Sequence, residues 1–180
     1  MLYFMHISPR HEKIRGKLFE ICAFCSNLHK NKKMTRLKIG DEWWTAPAEG
    51  ENGALVMVTG RKGVEPVIES GRFNDRVEVT WKYGTAGMPG DETARLMEQV
   101  DNALREEFGR DAVAVLTGIY TGEGQRNWVF YVSSLQSFRY RFNHALEPFE
   151  TLPLEIYAEH DPEWAEYREM RSLTEIADGE

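Results

Sequence analysis

Between Arg76 and Tyr83, polar and apolar residues alternate without a break. Val77, Val79, Trp81 and Tyr83 fall on one face, and Arg76, Glu78, Thr80 and Lys82 on the other. Successive side chains of an extended chain point to opposite faces, so this pattern reads as a half-buried β-strand. Such a strand needs partner strands for its backbone and a covering layer for its valines and tryptophan. The segments that follow supply both.

Gly84 to Gly90 reads as a loop, and Asp91 as the N-cap of a helix on which Met97, Val100, Leu104 and Phe108 recur at helical spacing until Gly109. Ala112 to Tyr120 and Asn127 to Val132 read as core strands joined by the hairpin-type loop Thr121 to Gln125. Ser134 is placed to cap a second helix with Leu135, Phe138, Phe142, Leu146 and Phe149 on one stripe, and Pro148 and Pro153 bracket its exit. Leu154 to Glu159 reads as the last strand.

The order from Arg76 onward is β-α-β-β-α-β. Two right-handed crossovers around a central hairpin predict an α+β fold, a ferredoxin-like split antiparallel sheet with both helices on one face. Residues 34–75 read as a preceding β-hairpin segment, with strands at Glu42 to Ala46 and Ala54 to Thr59 and a looser stretch from Val64 to Ile68. That hairpin is expected to extend the sheet or to cap its open side. The expected organisation is thus 1–33, an N-terminal extension; 34–75, the hairpin; 76–170, the ferredoxin-like domain; and 171–180, a frayed tail.

Charge separates the first segment from the rest. Residues 1–33 carry a balance of +5 and residues 34–180 a balance of −12, within a net charge of −7. An acidic body repels phosphate backbones, which argues against direct nucleic-acid binding by the folded part. Ile14, Leu18, Ile21, Cys25 and Leu28 form a helical stripe in the basic segment, which reads either as a helical arm or as an extension outside the native domain, with Met34 as a second start. No apolar run reaches the length of a membrane span, and the N-terminus lacks the long apolar core and cleavage site of a signal peptide. Both cysteines, Cys22 and Cys25, lie in the basic segment, so the body does not depend on disulfides. Cytoplasmic residence is the expectation.

Each motif with chemical content has a plainer reading. Cys22-x-x-Cys25 with His29 has ligand types suited to zinc, yet a structural site needs a fourth ligand, and only His6 or His11 is near in sequence. A redox pair would open a helix after a strand, whereas these cysteines sit inside an amphipathic stripe. Gly84, Gly87 and Gly90 precede a helix as phosphate loops do, but Asp91 and Glu92 place negative charge where a phosphate would bind. Asp161-Pro162-Glu163 beside His160 reads first as a helix start, with Trp164 and Tyr167 packing back on the body. Glu155 and Glu159 share a face of the last strand, and His144 an exposed helix position; no nucleophile–base arrangement emerges from these. No catalytic residue, metal ligand or cofactor is therefore assigned.

The aromatic residues on and beside strands admit two readings. Either they fill the space between hairpin and sheet, or some of them, with two arginines, form a contact patch for another protein: Trp44, Arg126, Trp128, Tyr131, Arg139 and Trp164.

Several of these segments also carry a resemblance. Met88-Pro89, the run Ala112 to Gly118, Arg126 to Tyr131, Ile156-Tyr157, Asp161 to Trp164 and then Tyr167 occur in an order similar to that of the Domain of Unknown Function 695 family. The resemblance covers roughly Arg76 to Tyr167, and the hairpin from Trp43 to Gly60 looks like the leading segment of some members. It implies a relation to ferredoxin-like domains that include a protein inhibitor of ribonuclease E. It implies no catalytic set. The functional expectation is a non-enzymatic interaction or regulatory domain, with a small-molecule-binding domain or an enzyme with an unrecognised site as the alternative.

Overall fold

The computed structural model describes residues 5–7, 37, 39–50, 53–84, 86–109 and 113–177. Its strands are β1 (Met5–Ile7), β2 (Trp43–Glu49), β3 (Leu55–Arg61), β4 (Asp75–Lys82), β5 (Ala114–Gly122), β6 (Gln125–Val132) and β7 (Leu154–His160). Its helices are α1 (Glu65–Glu69), α2 (Asp91–Gly109), α3 (Leu135–Ala145) and α4 (Ala165–Ala177). The strands form one sheet in the order β1-β7-β4-β6-β5-β3-β2. Six strands are antiparallel to their neighbours, and β1 adds to the β7 edge in parallel.

The alternating segment lies at the centre. β4 pairs with β6 on one side, Val79 opposite Trp128, and with β7 on the other, Val79 opposite Ile156. Its Val77, Val79 and Trp81 face α2 and α3 and join a core with Met97, Val100, Leu104, Phe130, Phe138 and Phe142. Both crossover helices thus bury their apolar stripes against the same face of the sheet, as the spacing requires.

The opposite face is covered as well. Val58, Val115, Val129 and Tyr131 pack there against Val64 and Val67 around α1, Phe73, and Trp164, Tyr167 and Met170 at α4. A sheet covered on both sides explains why β5 and β6 read as nearly continuous apolar runs. The hairpin β2–β3 extends the sheet, with β3 pairing along β5 from Val56–Gly122 to Gly60–Gly118.

Some boundaries differ from expectation. Val64 to Ile68 is not loose: Val64 is the N-cap of the five-residue helix α1, which runs to Glu69, with a proline in its first turn and Val67 fully buried. Helix α2 begins at Asp91 itself, and the amide of Ala94 donates to the carbonyl of Gly90. Ser134 caps α3 as expected, its hydroxyl accepting from the amide of Ser137 at 3.3 Å. The last helix starts at Ala165 rather than Pro162 and continues to Ala177, into the segment expected to be frayed. Of residues 1–33, Met5–Ile7 is a sheet strand; the helical stripe and the cysteines lie outside the described residues. No helix among the described residues is long and apolar enough to cross a membrane.

Candidate functional site

Strand β5 carries a bulge between Leu116 and Gly118. An extra residue in one strand reverses the facing of everything beyond it. Ala114 and Leu116 face α2 and α3, and so does Ile119, three residues on. Tyr120 consequently turns to the α4 side, where it packs at the edge of the second core. The polar face of β4 points the same way and brings Arg76 and Glu78.

Arg76 organises this face. Its side chain is only 12% exposed, and its guanidinium meets Glu159 at 2.8 Å, Glu78 at 3.1 Å and Glu166 of α4 at 3.5 Å. Burial works against its charge, but Glu159, Glu166 and Glu78 outweigh burial, and the pKa of Arg76 is raised. The Tyr120 hydroxyl donates to the other oxygen of Glu166 at 2.8 Å. Burial first, and then the Glu166 carboxylate, push the phenol pKa of Tyr120 well above its ordinary value, so the hydroxyl stays protonated.

Beside this network the sheet and α4 enclose a cleft of about 400 Å³. Val56, Val58, Val129 and Leu173 give it apolar walls, while Glu78, Tyr120, Asn127 and Glu166 converge on it as polar groups. Glu49 and Glu123 stand at the β2–β3 and β5–β6 turns. The side-chain oxygen of Asn127 is shut away from water and has no hydrogen-bond partner among the described residues. The same holds for Trp44 Nε1 and Arg126 Nε. A larger groove of about 510 Å³ runs beside α3, but its walls are mostly exposed surface side chains such as Arg139, Tyr140 and Glu147.

The model of a family described as a family of unknown function, DUF695, matches residues 42–170. The chain belongs to DUF695. The match spans the hairpin, the sheet from β2 to β7 and α4 as far as Met170, and so includes the cleft apart from Leu173. No curated protein and no solved structure matches this DUF695 chain.

The six residues expected to share a contact surface do not come together in the DUF695 domain. Trp128 is fully buried on the α2/α3 side, where its indole N–H donates to Asp101. Arg126 pairs with the same Asp101 at 3.0 Å and lies over the Trp128 ring. Tyr131 and Trp164 are fully buried on the opposite face. Trp44 packs against that second core across β3, where its ring occupies the space a side chain at Gly60 would fill. Arg139 is exposed on α3. Cover on both faces of the sheet explains the correction for β6, where alternation turns Trp128 into one core and Tyr131 into the other.

Other motifs resolve into structure. The Asp161 carboxylate accepts from the amides of Ala165 and Glu166 and from the Tyr131 hydroxyl, so it caps α4 across an intervening turn. Glu155 pairs with Lys82 at 2.8 Å and Glu159 with Arg76. The two carboxylates therefore serve separate ion pairs. Gly87 is strapped down, its carbonyl accepting from the Tyr83 hydroxyl at 2.6 Å and the Gly124 amide at 3.1 Å. Among the described residues, no group of three or more His, Cys, Asp or Glu is placed to hold a metal ion. Arg76, Glu78, Tyr120, Asn127 and Glu166 were not among the expected site residues. They come from four separate elements and leave no local pattern.

Proposed function

We propose that this DUF695 domain is a non-enzymatic small-ligand-binding module whose site is the cleft between the sheet and α4. One observation carries the reading: an apolar-walled cleft of about 400 Å³ onto which a few pre-positioned polar groups converge, held by the ion pairs of Arg76. That combination is the general form of small-molecule sites. The cleft contains carboxylates, amides and a phenol already bonded to Glu166, a set suited to recognition more than to nucleophilic chemistry.

Two finer statements belong to the same reading. The order β7-β4-β6-β5, with α2 and α3 as crossovers on one face, supports a ferredoxin-like split arrangement at the centre of the sheet. That fold hosts unrelated activities, so the functional argument rests on the cleft. The acidic, cysteine-free body supports residence in the cytoplasm.

The test is a fragment screen followed by backbone amide shifts on the full chain. Binders are expected to perturb β3, β6 and α4 together. A broad library in which no binder perturbs those elements would overturn the reading. A protein-interaction reading keeps one supporting observation, Tyr140, which is 76% exposed on α3 next to Arg139. It predicts perturbation of α3 instead.

A further inference from the structure

We infer that the outer edge of β7 is a strand-acceptor site, which takes an extended peptide segment of a partner, laid parallel to β7, in competition with the chain's own β1. The surface is separate from the cleft, whose lining includes no β7 residue, and from the exposed Tyr140 on α3.

The two ends of the sheet differ in what their backbone offers. β2 closes one end, and β7 with its short β1 addition closes the other. The Lys62 amide donates to the Glu42 carbonyl, and the Gly50 amide to the Ala54 carbonyl. Alternation along β2 then turns Pro47 outward, where a proline has no N–H for an incoming strand. β7 has no proline between Leu154 and His160. The Asp161 amide donates inward to Asn74 at 2.8 Å, so alternation turns the backbone groups of Ile156 and Ala158 outward.

That outward row already serves as a template. Met5–Ile7 pairs with Ile156, Tyr157 and Ala158 in parallel, the one parallel pairing among the described strands. β1 has three residues against the seven of β7. It also lies outside the family match, which contains β7 and starts at residue 42. A short segment remote in sequence thus fills the edge by backbone pairing, which is the geometry of strand addition. Terminal elements with so little pairing open at low free energy, so a competing segment can displace it.

The faces of β7 state what such a segment carries. Ile156 and Ala158 are buried in the α2/α3 core, and residues paired with them fall on that apolar face. The residue paired with Tyr157 falls on the other face, between Glu155 and Glu159, where an acidic side chain meets like charge. The same carboxylates keep off an acidic strand such as β7 of a second copy. The partner segment is therefore apolar, non-acidic and apolar at three successive positions, where β1 carries Met5, His6 and Ile7.

The experiment titrates the full chain and its His6→Pro variant with a peptide of residues Tyr3 to Arg10, reading backbone amide shifts and exchange. His6 pairs with Tyr157, so its N–H and C=O lie between those of Ile156 and Ala158, and proline there breaks the pairing. The substitution touches no described member of either core. In His6→Pro, exchange at Ala158 should quicken, and the peptide should give saturable shifts along Ile156 to Ala158. The parent should bind the peptide at least about tenfold more weakly, because β1 competes. A peptide N-methylated at its His6 amide should not bind, and a His6→Asp peptide should bind about threefold or more weakly. Unchanged exchange at Ala158 in the variant, no binding to it, equal binding to parent and variant, or equal binding of the N-methylated peptide overturns the inference. Shifts confined to β2, or to the cleft elements β3, β6 and α4, overturn it too. Equal binding of the His6→Asp peptide overturns the rule for the middle position.

Discussion

The indole of Trp164 lies parallel to the phenol ring of Tyr131, with ring centroids 3.8 Å apart and planes 4° from coplanar orientation. Trp164 holds a left-handed backbone, φ 56°, which a bulky residue adopts only when its surroundings compensate. The compensation is visible: Trp164 is buried to 1% exposure, and the Tyr131 hydroxyl beneath it donates to Asp161 at 2.6 Å. This pair anchors the start of α4 to the sheet.

Trp164→Ala should therefore destabilise the chain by about 3–5 kcal/mol, through lost burial and a residual cavity. Asp161→Ala removes a cap worth ~0.5–2 kcal/mol. It also strips the Tyr131 hydroxyl of its acceptor, which places it at the upper end of that range. Urea midpoints should rank Trp164→Ala below Asp161→Ala and both below the parent. Equal and negligible effects from both would mean that α4 is not docked.

The sheet and its crossover helices are legible in the sequence. The alternation from Arg76 to Lys82 identified β4 and its buried face correctly, because one face is apolar throughout. The helical stripes of α2 and α3 were equally clear, since Met97, Val100 and Leu104, and Phe138 and Phe142, all point into one core. The cleft was not legible. The bulge beside Thr117 decides which way Tyr120 faces, and a bulge is set by tertiary packing more than by local composition. Glu166 reaches Arg76 only because Asp161 caps α4 from four residues before its first helical amide, Ala165. The same turn hid the true start of that helix.

Arg76→Met leaves Glu78, Glu159 and Glu166 facing one another without their shared cation. The carboxylates are partly exposed, so solvent screens them, and the expected loss is about 1–3 kcal/mol at neutral pH, below that of a fully buried pair. Salt screens both the lost attraction and the new repulsion, so the difference between parent and variant in urea midpoint should shrink as salt is added.

Asp101 is buried beneath Arg126 and Trp128, and burial raises its pKa in spite of both partners. A carboxyl whose folded pKa is raised holds its proton more tightly when folded. Its contribution to stability is full below the unfolded pKa near 4 and is lost as the pH rises through the folded value. The stability of the parent minus that of Asp101→Asn should accordingly fall as the pH rises from about 4. Urea titrations between roughly pH 3.5 and 7 measure it, and a difference that grows with pH would contradict the assignment.

At Gly122 β5 approaches the backbone of β3 closely at the cleft wall. A Cβ placed there would stand 2.6 Å from the carbonyl oxygen of Leu55, a backbone atom that cannot swing aside. Gly122→Ala should push the β2–β3 hairpin outward and cost about 1–3 kcal/mol by overpacking. Amide exchange should quicken along β3 and β2 and stay unchanged in β4 and β7. Uniform quickening across the whole sheet would show that the hairpin is not a separable unit.

Met5–Ile7 is the one described part of the N-terminal segment, and it pairs with Ile156, Tyr157 and Ala158 of β7. Removing residues 1–33 deletes this short parallel strand and reopens the β7 edge. The edge carries its own protection, since Glu155 and Glu159 project from β7 and discourage pairing with a second chain. The remaining strands keep all their antiparallel partners, and the described members of both cores lie after residue 36. A chain starting at Met34 should thus fold cooperatively and keep the oligomeric state of the full chain, with its melting midpoint within about 10 °C of the full chain, a bound well beyond what ~1–2 kcal/mol produces in a domain of this size. A larger drop, or concentration-dependent association, would show that the basic segment seals the sheet edge as an integral part of the fold.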